Sequence, residues 1–191
     1  MIQRHRLLQD IFNFLKAQEF LKKFPQWTER DLEQALFGDA NHASPEASAP
    51  QKARLILMTD GAARGNPGKA GIGVVLQTPD GEIVFRFYQY IGIQTNNVAE
   101  YIALKTGLQH ALQHHPQELE IRLDSELVVK QIRGEYKTKN ARLREIQEEI
   151  FRMLENIPKW KIVHVPRSAN RLADELANKA INTKTEKGEV L

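Results

Sequence analysis

Four carboxylates stand where a chain changes element. Asp60 ends the apolar run Leu55-Ile56-Leu57-Met58-Thr59, and Asp124 ends the alternating run Leu119-Glu120-Ile121-Arg122-Leu123. Glu100 falls in the first turn of a helical stretch, and Asp174 in the first turns of the last one. In open sheets, ligands gather at strand ends where the topology leaves a crevice. If the two runs are parallel neighbours, both aspartates emerge on one side, and the helical acids can lean over the same rim. Four like charges repel unless neutralised, and a pair of divalent cations is the economical neutraliser. Two ions about 3.5–4 Å apart stabilise the attacking and leaving oxygens of phosphodiester cleavage. Taken singly, each acid also has an ordinary reading, as a turn residue, an N-cap or a complement to a helix dipole.

Composition narrows the choice of ion. There is no cysteine among the 191 residues, which excludes disulfides, thiolate zinc sites, iron–sulfur clusters and cysteine nucleophiles. Oxygen-rich ligands favour Mg2+ or Mn2+ over zinc. The absence of cysteine is compatible with a cytosolic chain, and a cytoplasmic location is the expectation. No apolar run approaches the roughly 18 residues that span a bilayer, so no membrane is expected as a partner. Met1 to Leu7 lead into an amphipathic pattern rather than the apolar centre of a signal peptide. A hydrophobic fraction of 41% supplies a core, and a net charge of +3 permits a polyanionic partner without demanding one.

The elements that must position the acids follow a linker. Residues 38–52 are small, polar and punctuated by Pro45 and Pro50. Residues 1–37 carry two short helical patterns broken at Pro25, read as a helical hairpin too small for a robust core of its own. It is expected to dock on the main domain or to contact a protein or nucleic acid. The main domain, 53–182, reads as strands Leu55–Asp60, Gly71–Thr78 and Glu82–Ile91, with a hairpin signal at Pro79-Asp80-Gly81. Then come a helix from Asn97 to His115, a strand Leu119–Asp124, and a short helix with Leu127, Val128 and Ile132 on one face. A helix from Ala141 to Asn156, a strand Trp160–Val165 and a helix from Ala169 to Ile181 complete it, leaving 183–191 as a tail. The fold class is α/β: a mixed five-stranded sheet flanked by helices.

Local contexts sharpen the reading. Asp60-Gly61-Ala62-Ala63-Arg64-Gly65-Asn66-Pro67-Gly68, Thr95-Asn96-Asn97-Val98-Ala99-Glu100, Asp124-Ser125-Glu126-Leu127 and Asn170-Arg171-Leu172-Ala173-Asp174 occur in that order. Together they resemble the type I ribonuclease H family over about residues 53–182. The resemblance implies a ribonuclease H-like sheet and cleavage of the RNA strand of RNA–DNA hybrids, leaving 5′-phosphate and 3′-hydroxyl ends. It assigns Asp60, Glu100, Asp124 and Asp174 to two metal ions, with Asp60 bridging both and Glu100 also approaching the 2′-hydroxyl. It further implies that Asn66, Asn96 and Asn97 contact the hybrid, with Gly61, Gly65 and Gly68 letting backbone approach a groove. Helix capping is the other role open to Asn96 and Asn97.

This chain departs from the best-known bacterial pattern. The loop Pro166-Arg167-Ser168-Ala169-Asn170 has no histidine and offers Arg167, as in the archaeal-like branch. Arginine cannot be a general base, its pKa exceeding about 12, but it can orient a phosphate or assist product release. His164, between apolar neighbours, is read as structural. Glu126 stands where some relatives carry glutamine and is left out of the site. The long basic handle of some members is missing, although Lys137, Lys139, Arg142 and Arg144 cluster in its place. The N-terminal hairpin does not resemble the hybrid-binding module often found before this domain. Two rival readings share the fold: cleavage of double-stranded RNA, and a hybrid-binding module with little catalysis.

Overall fold

Alternating side chains decide the layers. In the first strand Leu55 and Leu57 enter one core while Ile56 and Met58 enter another on the opposite face. The computed structural model describes residues 54–190; the expected hairpin at 1–37 and linker at 38–52 lie outside the described residues. The elements are β1 (Arg54–Gly65), β2 (Gly68–Gln77), β3 (Ile83–Gln94), α1 (Asn96–Gln113), β4 (Glu118–Leu123) and α2 (Glu126–Ile132). They continue with α3 (Ala141–Leu154), β5 (Lys159–His164), a single 3-10 turn at Arg167–Ala169, α4 (Arg171–Thr183) and β6 (Glu186–Val190). The sheet runs β5-β4-β1-β2-β3-β6. β1, β2 and β3 form an antiparallel meander, and β4 and β5 add in parallel on the other side of β1.

The five expected strands and four expected helices are present, and β6 is additional. Its charged sequence reads as a tail, yet its backbone pairs antiparallel with β3 from Phe85↔Val190 to Gln89↔Glu186. An unpaired strand edge is a template that accepts such a segment regardless of propensity.

β1 also differs from expectation. It does not stop at Asp60 but continues through the glycine-rich segment to Gly65, paired with β2 throughout. Its ladder with β4 ends at Met58↔Arg122. Asp60 therefore sits on a strand that has outrun its parallel neighbour, and the rim lies on the β4 side. Ending the strand at Asp60 followed from the low strand propensity of Gly61 to Gly65, which cross-strand pairing overrides.

α1 and α3 lie on one face of the sheet, where Leu104, Leu108 and Ile150 share a core with Leu57, Ile72, Val74 and Ile121. α4 covers β1 to β3 on the other, where Ala173, Leu176 and Ala180 meet Ile56, Met58, Val75 and Tyr88. In α2 the buried side is Val128, Val129, Gln131 and Ile132; Leu127, expected on one face with Val128 and Ile132, is 39% exposed. Among the described residues, no helix is long and apolar enough to cross a membrane.

Candidate active site

Both acid-bearing helices approach the sheet over glycine. A Cβ on Gly61 would lie 2.1 Å from the carbonyl carbon of Ala99 and 2.2 Å from the nitrogen of Glu100. One on Gly73, the partner of Asp60 across the β1–β2 ladder, would lie 2.1 Å from the carbonyl oxygen of Ala173. Only glycine permits backbone this close, and the result is that α1 and α4 deliver Glu100 and Asp174 to opposite sides of Asp60. Gly61 is buried. The close approach expected of a substrate groove is made here by the protein's own helix, and the Gly61 N–H donates to the Glu100 carboxylate.

Glu100 lies one residue deeper in α1 than the sequence implied, just past its first turn. The N-cap is Thr95, whose Oγ1 accepts from the Val98 N–H at 3.3 Å, and the helix starts at Asn96. Neither Asn96 nor Asn97 is needed as a cap. Both side chains are exposed at the start of α1, and Asn66, at the tip of the β1–β2 hairpin, accepts from the Asn96 N–H through Oδ1 at 3.1 Å. Three carboxamides are thereby grouped on one exposed margin.

Asp124 follows β4 directly, as expected, and its Oδ1 accepts from Asn170 Nδ2 at 2.6 Å. Asn170 is 1% exposed and the same Nδ2 donates to the Thr59 carbonyl at 2.9 Å. Sequence reasoning missed this residue. An asparagine before a helix reads as an N-cap, yet this side chain makes no cap hydrogen bond to α4. Asp174 is in the first turn of α4, and Arg167, on the 3-10 turn, donates from its Nη2 to Asp174 Oδ1. His164 is exposed at the end of β5; its apolar sequence neighbours did not bury it because alternate strand residues face opposite sides.

The electrostatics show how the acids are gathered. Asp60 is 6% exposed and Glu100 7%. Burial raises the Asp60 carboxyl from 3.8 to about 7, with the charges of Asp124 and Asp174 adding to the rise and Arg167 opposing it. Glu100 is raised well above the ordinary carboxylate range, first by burial and then by Asp60 and Asp124, against the Gly61 N–H and Arg167. By contrast Glu120, on β4, is held at about 2, chiefly by its hydrogen bond to Lys161 and also by Arg122.

The four acids thus share a rim but not yet one coordination shell. Among the described residues, no three His, Asp or Glu side chains are close enough together to hold one ion as they stand. Asp174 is engaged by Arg167, and Asp124 by Asn170. The donor set nevertheless fits a hard divalent cation: it consists of oxygen, and its two buried carboxylates have too little positive charge beside them.

Comparison with known proteins agrees with the fold and the motifs. Residues 58–180 match the family model described as "Reverse transcriptase-like". Ribonuclease HI of Halobacterium salinarum is 44% identical over 129 residues, 68% of this chain and 65% of the relative. A bifunctional protein of Mycobacterium tuberculosis is 38% identical over 130 residues, 68% of this chain and 36% of its own. The chain thus spans less than two thirds of the length of these relatives. The crystal structure of the Halobacterium salinarum RNase H1 superposes with a TM-score of 0.66 at 42% identity, covering 68% of this chain and 98% of that one. LC11-RNase H1, isolated from compost and solved in complex with an RNA/DNA hybrid, gives 0.65 at 44% identity, with coverage of 68% and 98%. By sequence and by fold, the chain belongs to the type 1 ribonuclease H family.

Proposed function

We propose that the protein is an endoribonuclease that hydrolyses the RNA strand of RNA–DNA hybrids, leaving 5′-phosphate and 3′-hydroxyl ends. The observation that carries this reading is the pair of buried, under-compensated carboxylates, Asp60 and Glu100, with Asp124 and Asp174 beside them. A relative of 44% identity bound to an RNA/DNA hybrid supports the choice of substrate. Asp60, Glu100, Asp124 and Asp174 would hold two divalent ions, Mg2+ or Mn2+. When bound, such ions supply a nucleophilic water at neutral pH and stabilise the departing 3′-oxygen.

The protein's own residues do the rest. Asn66, Asn96 and Asn97 present donors and acceptors to the sugars and base edges of the minor groove, where A-form geometry exposes the 2′-hydroxyls. Glu100 reaches the 2′-hydroxyl next to the scissile phosphate, which distinguishes RNA from DNA. Arg167 remains charged at all working pH values and acts as a phosphate guide, exchanging Asp174 for the substrate. Its exposure, 74% of the side chain, suits an exchange.

Asp60→Asn and Asp124→Asn should each reduce cleavage of a labelled hybrid in Mg2+ by about 100- to 1,000-fold or more, the range over which removing transition-state charge stabilisation begins. Circular dichroism should remain unchanged. Matched hybrid, double-stranded RNA and DNA substrates decide the preference. Retained cleavage in either variant defeats the assignment. Tight hybrid binding without turnover in either metal would make the protein a binding module.

A further inference from the structure

β1 and β4 part company at Met58↔Arg122, the last pair of their parallel ladder. One residue later the Thr59 carbonyl takes its hydrogen not from β4 but from Asn170 Nδ2 at 2.9 Å, and the second hydrogen of that same nitrogen goes to Asp124 Oδ1 at 2.6 Å. The side chain therefore spans the opening between β1, at the residue before Asp60, and Asp124 at the end of β4. Its backbone is fixed from both directions: its N–H donates to the Arg167 carbonyl at 3.0 Å, and its carbonyl accepts from the Asp174 N–H at 3.2 Å. The loop before it is pinned to β4 by the Val165 N–H donating to the Leu123 carbonyl at 2.8 Å.

The chemistry of the two acceptors determines the residue. Only a carboxamide offers two donors on one short-armed atom; a hydroxyl has one and a carboxylate none. Asn170 Oδ1 is buried without a partner. An unsatisfied buried acceptor is a penalty, so packing does not account for asparagine here, and the NH2 end does. The hydrogen bond to Asp124 is charge-assisted and short, the kind that fixes which way a carboxylate faces.

We propose that Asn170 is a positioning residue, whose carboxamide bridges β1 to the end of β4 where the two strands part and sets the orientation of Asp124 for a divalent cation. The inference rests on the reading of the four acids given above. Partners that orient a metal ligand from behind commonly change metal affinity or activity by about 10–100-fold.

Three measurements on the full chain test it. In metal-free protein, the Asn170 side-chain amide protons should exchange slowly by NMR and shift when Asp124 is replaced by Asn. Fast exchange, as for an exposed asparagine, overturns the bridge. Calorimetric titration with Mn2+ should show about 10–100-fold weaker binding in Asn170→Ala. Its kcat on a labelled hybrid should fall by a similar factor while KM stays within about twofold. In an Asp124→Asn background the same change should add little. A folded Asn170→Ala with wild-type Mn2+ affinity and kcat overturns the proposal. If that variant does not fold, the amide exchange of the wild-type chain decides alone. A wild-type chain that neither binds Mn2+ nor cleaves hybrid overturns the catalytic reading instead, while the metal-free amide measurement still judges the bridge.

Discussion

Asp60 and Glu100 carry their protons more tightly in the folded chain than in the unfolded one. A carboxyl raised to about 7 binds more protons folded than unfolded across the interval from 3.8 upward. Stability of the metal-free protein therefore falls as pH rises from about 4 to about 7, the reverse of the usual carboxylate trend. Glu120, held at about 2, acts in the ordinary sense: its contribution is present above 4.5 and is lost as pH falls toward 2. Urea unfolding in chelator should show greatest stability near pH 4–5. Asp60→Asn should gain about 1–3 kcal/mol over wild type at pH 8 and nothing at pH 4. Added Mg2+ should remove most of that difference, because a bound cation replaces the proton. The four acids were legible because each falls beside a change of sequence pattern, although β1 runs on past Asp60 to Gly65. Asn170 was not, because its acceptors lie on strands distant in sequence and nothing local predicts a bridge.

At the scale of elements, the glycine positions do more than shape a loop. Gly61 is where α1 rests on β1, so any side chain there pushes the helix, and Glu100 with it, away from Asp60. Gly61→Ala should destabilise the fold by about 2 kcal/mol or more, as overpacking does, and lower hybrid cleavage far beyond the loss of folded protein. Thermal melts and activity normalised to folded fraction check this. The sequence showed the glycines but not their partner, since a backbone contact across a sheet leaves no periodic trace. The Asn96-Asn97 pair illustrates the opposite case. Two roles were open, and Thr95 in the N-cap position removed one. β1 and β6 were underread for one reason: both extend through residues of poor strand propensity, and pairing with a neighbour supplies what propensity lacks.

For the molecule as a whole, the missing handle leaves a short, fixed segment. Tyr101 Oη, on the residue after Glu100, donates to Gln131 Oε1 at 2.9 Å and lies 3.3 Å from Thr138 Oγ1. All three groups are buried, and they tie the segment after α2 to α1. Tyr136, Lys137 and Lys139 are exposed on it. Elsewhere cations meet acids, as in Lys105–Glu149, Lys161–Glu120 and Arg171–Glu175. Lys137 and Lys139 have no such partner among the described residues. In the proposed function they are the candidate cations for a phosphate backbone, the alternative being a solvated face. Lys137→Ala/Lys139→Ala should weaken hybrid binding and flatten the dependence of log K on log salt by about 2, one for each phosphate that the variant no longer neutralises. Filter binding over a range of salt reads this. Repeating it on chains lacking residues 1–37 asks whether the proposed helical hairpin shares the load.

The outermost strand on the opposite flank has a guard of its own. Arg133, just after α2, donates through Nε and Nη2 to the Ile162 carbonyl on β5, at 3.1 and 2.7 Å. A planar two-pronged group clasping that oxygen denies it to any visiting strand, while Lys159 and Lys161 stand exposed on the same margin. One border of the sheet thus ends in a short, charged ribbon, Glu186–Val190, and the other in a clasp flanked by lysines. The β5 border thus presents no long greasy seam along which crowded copies could zip into fibres.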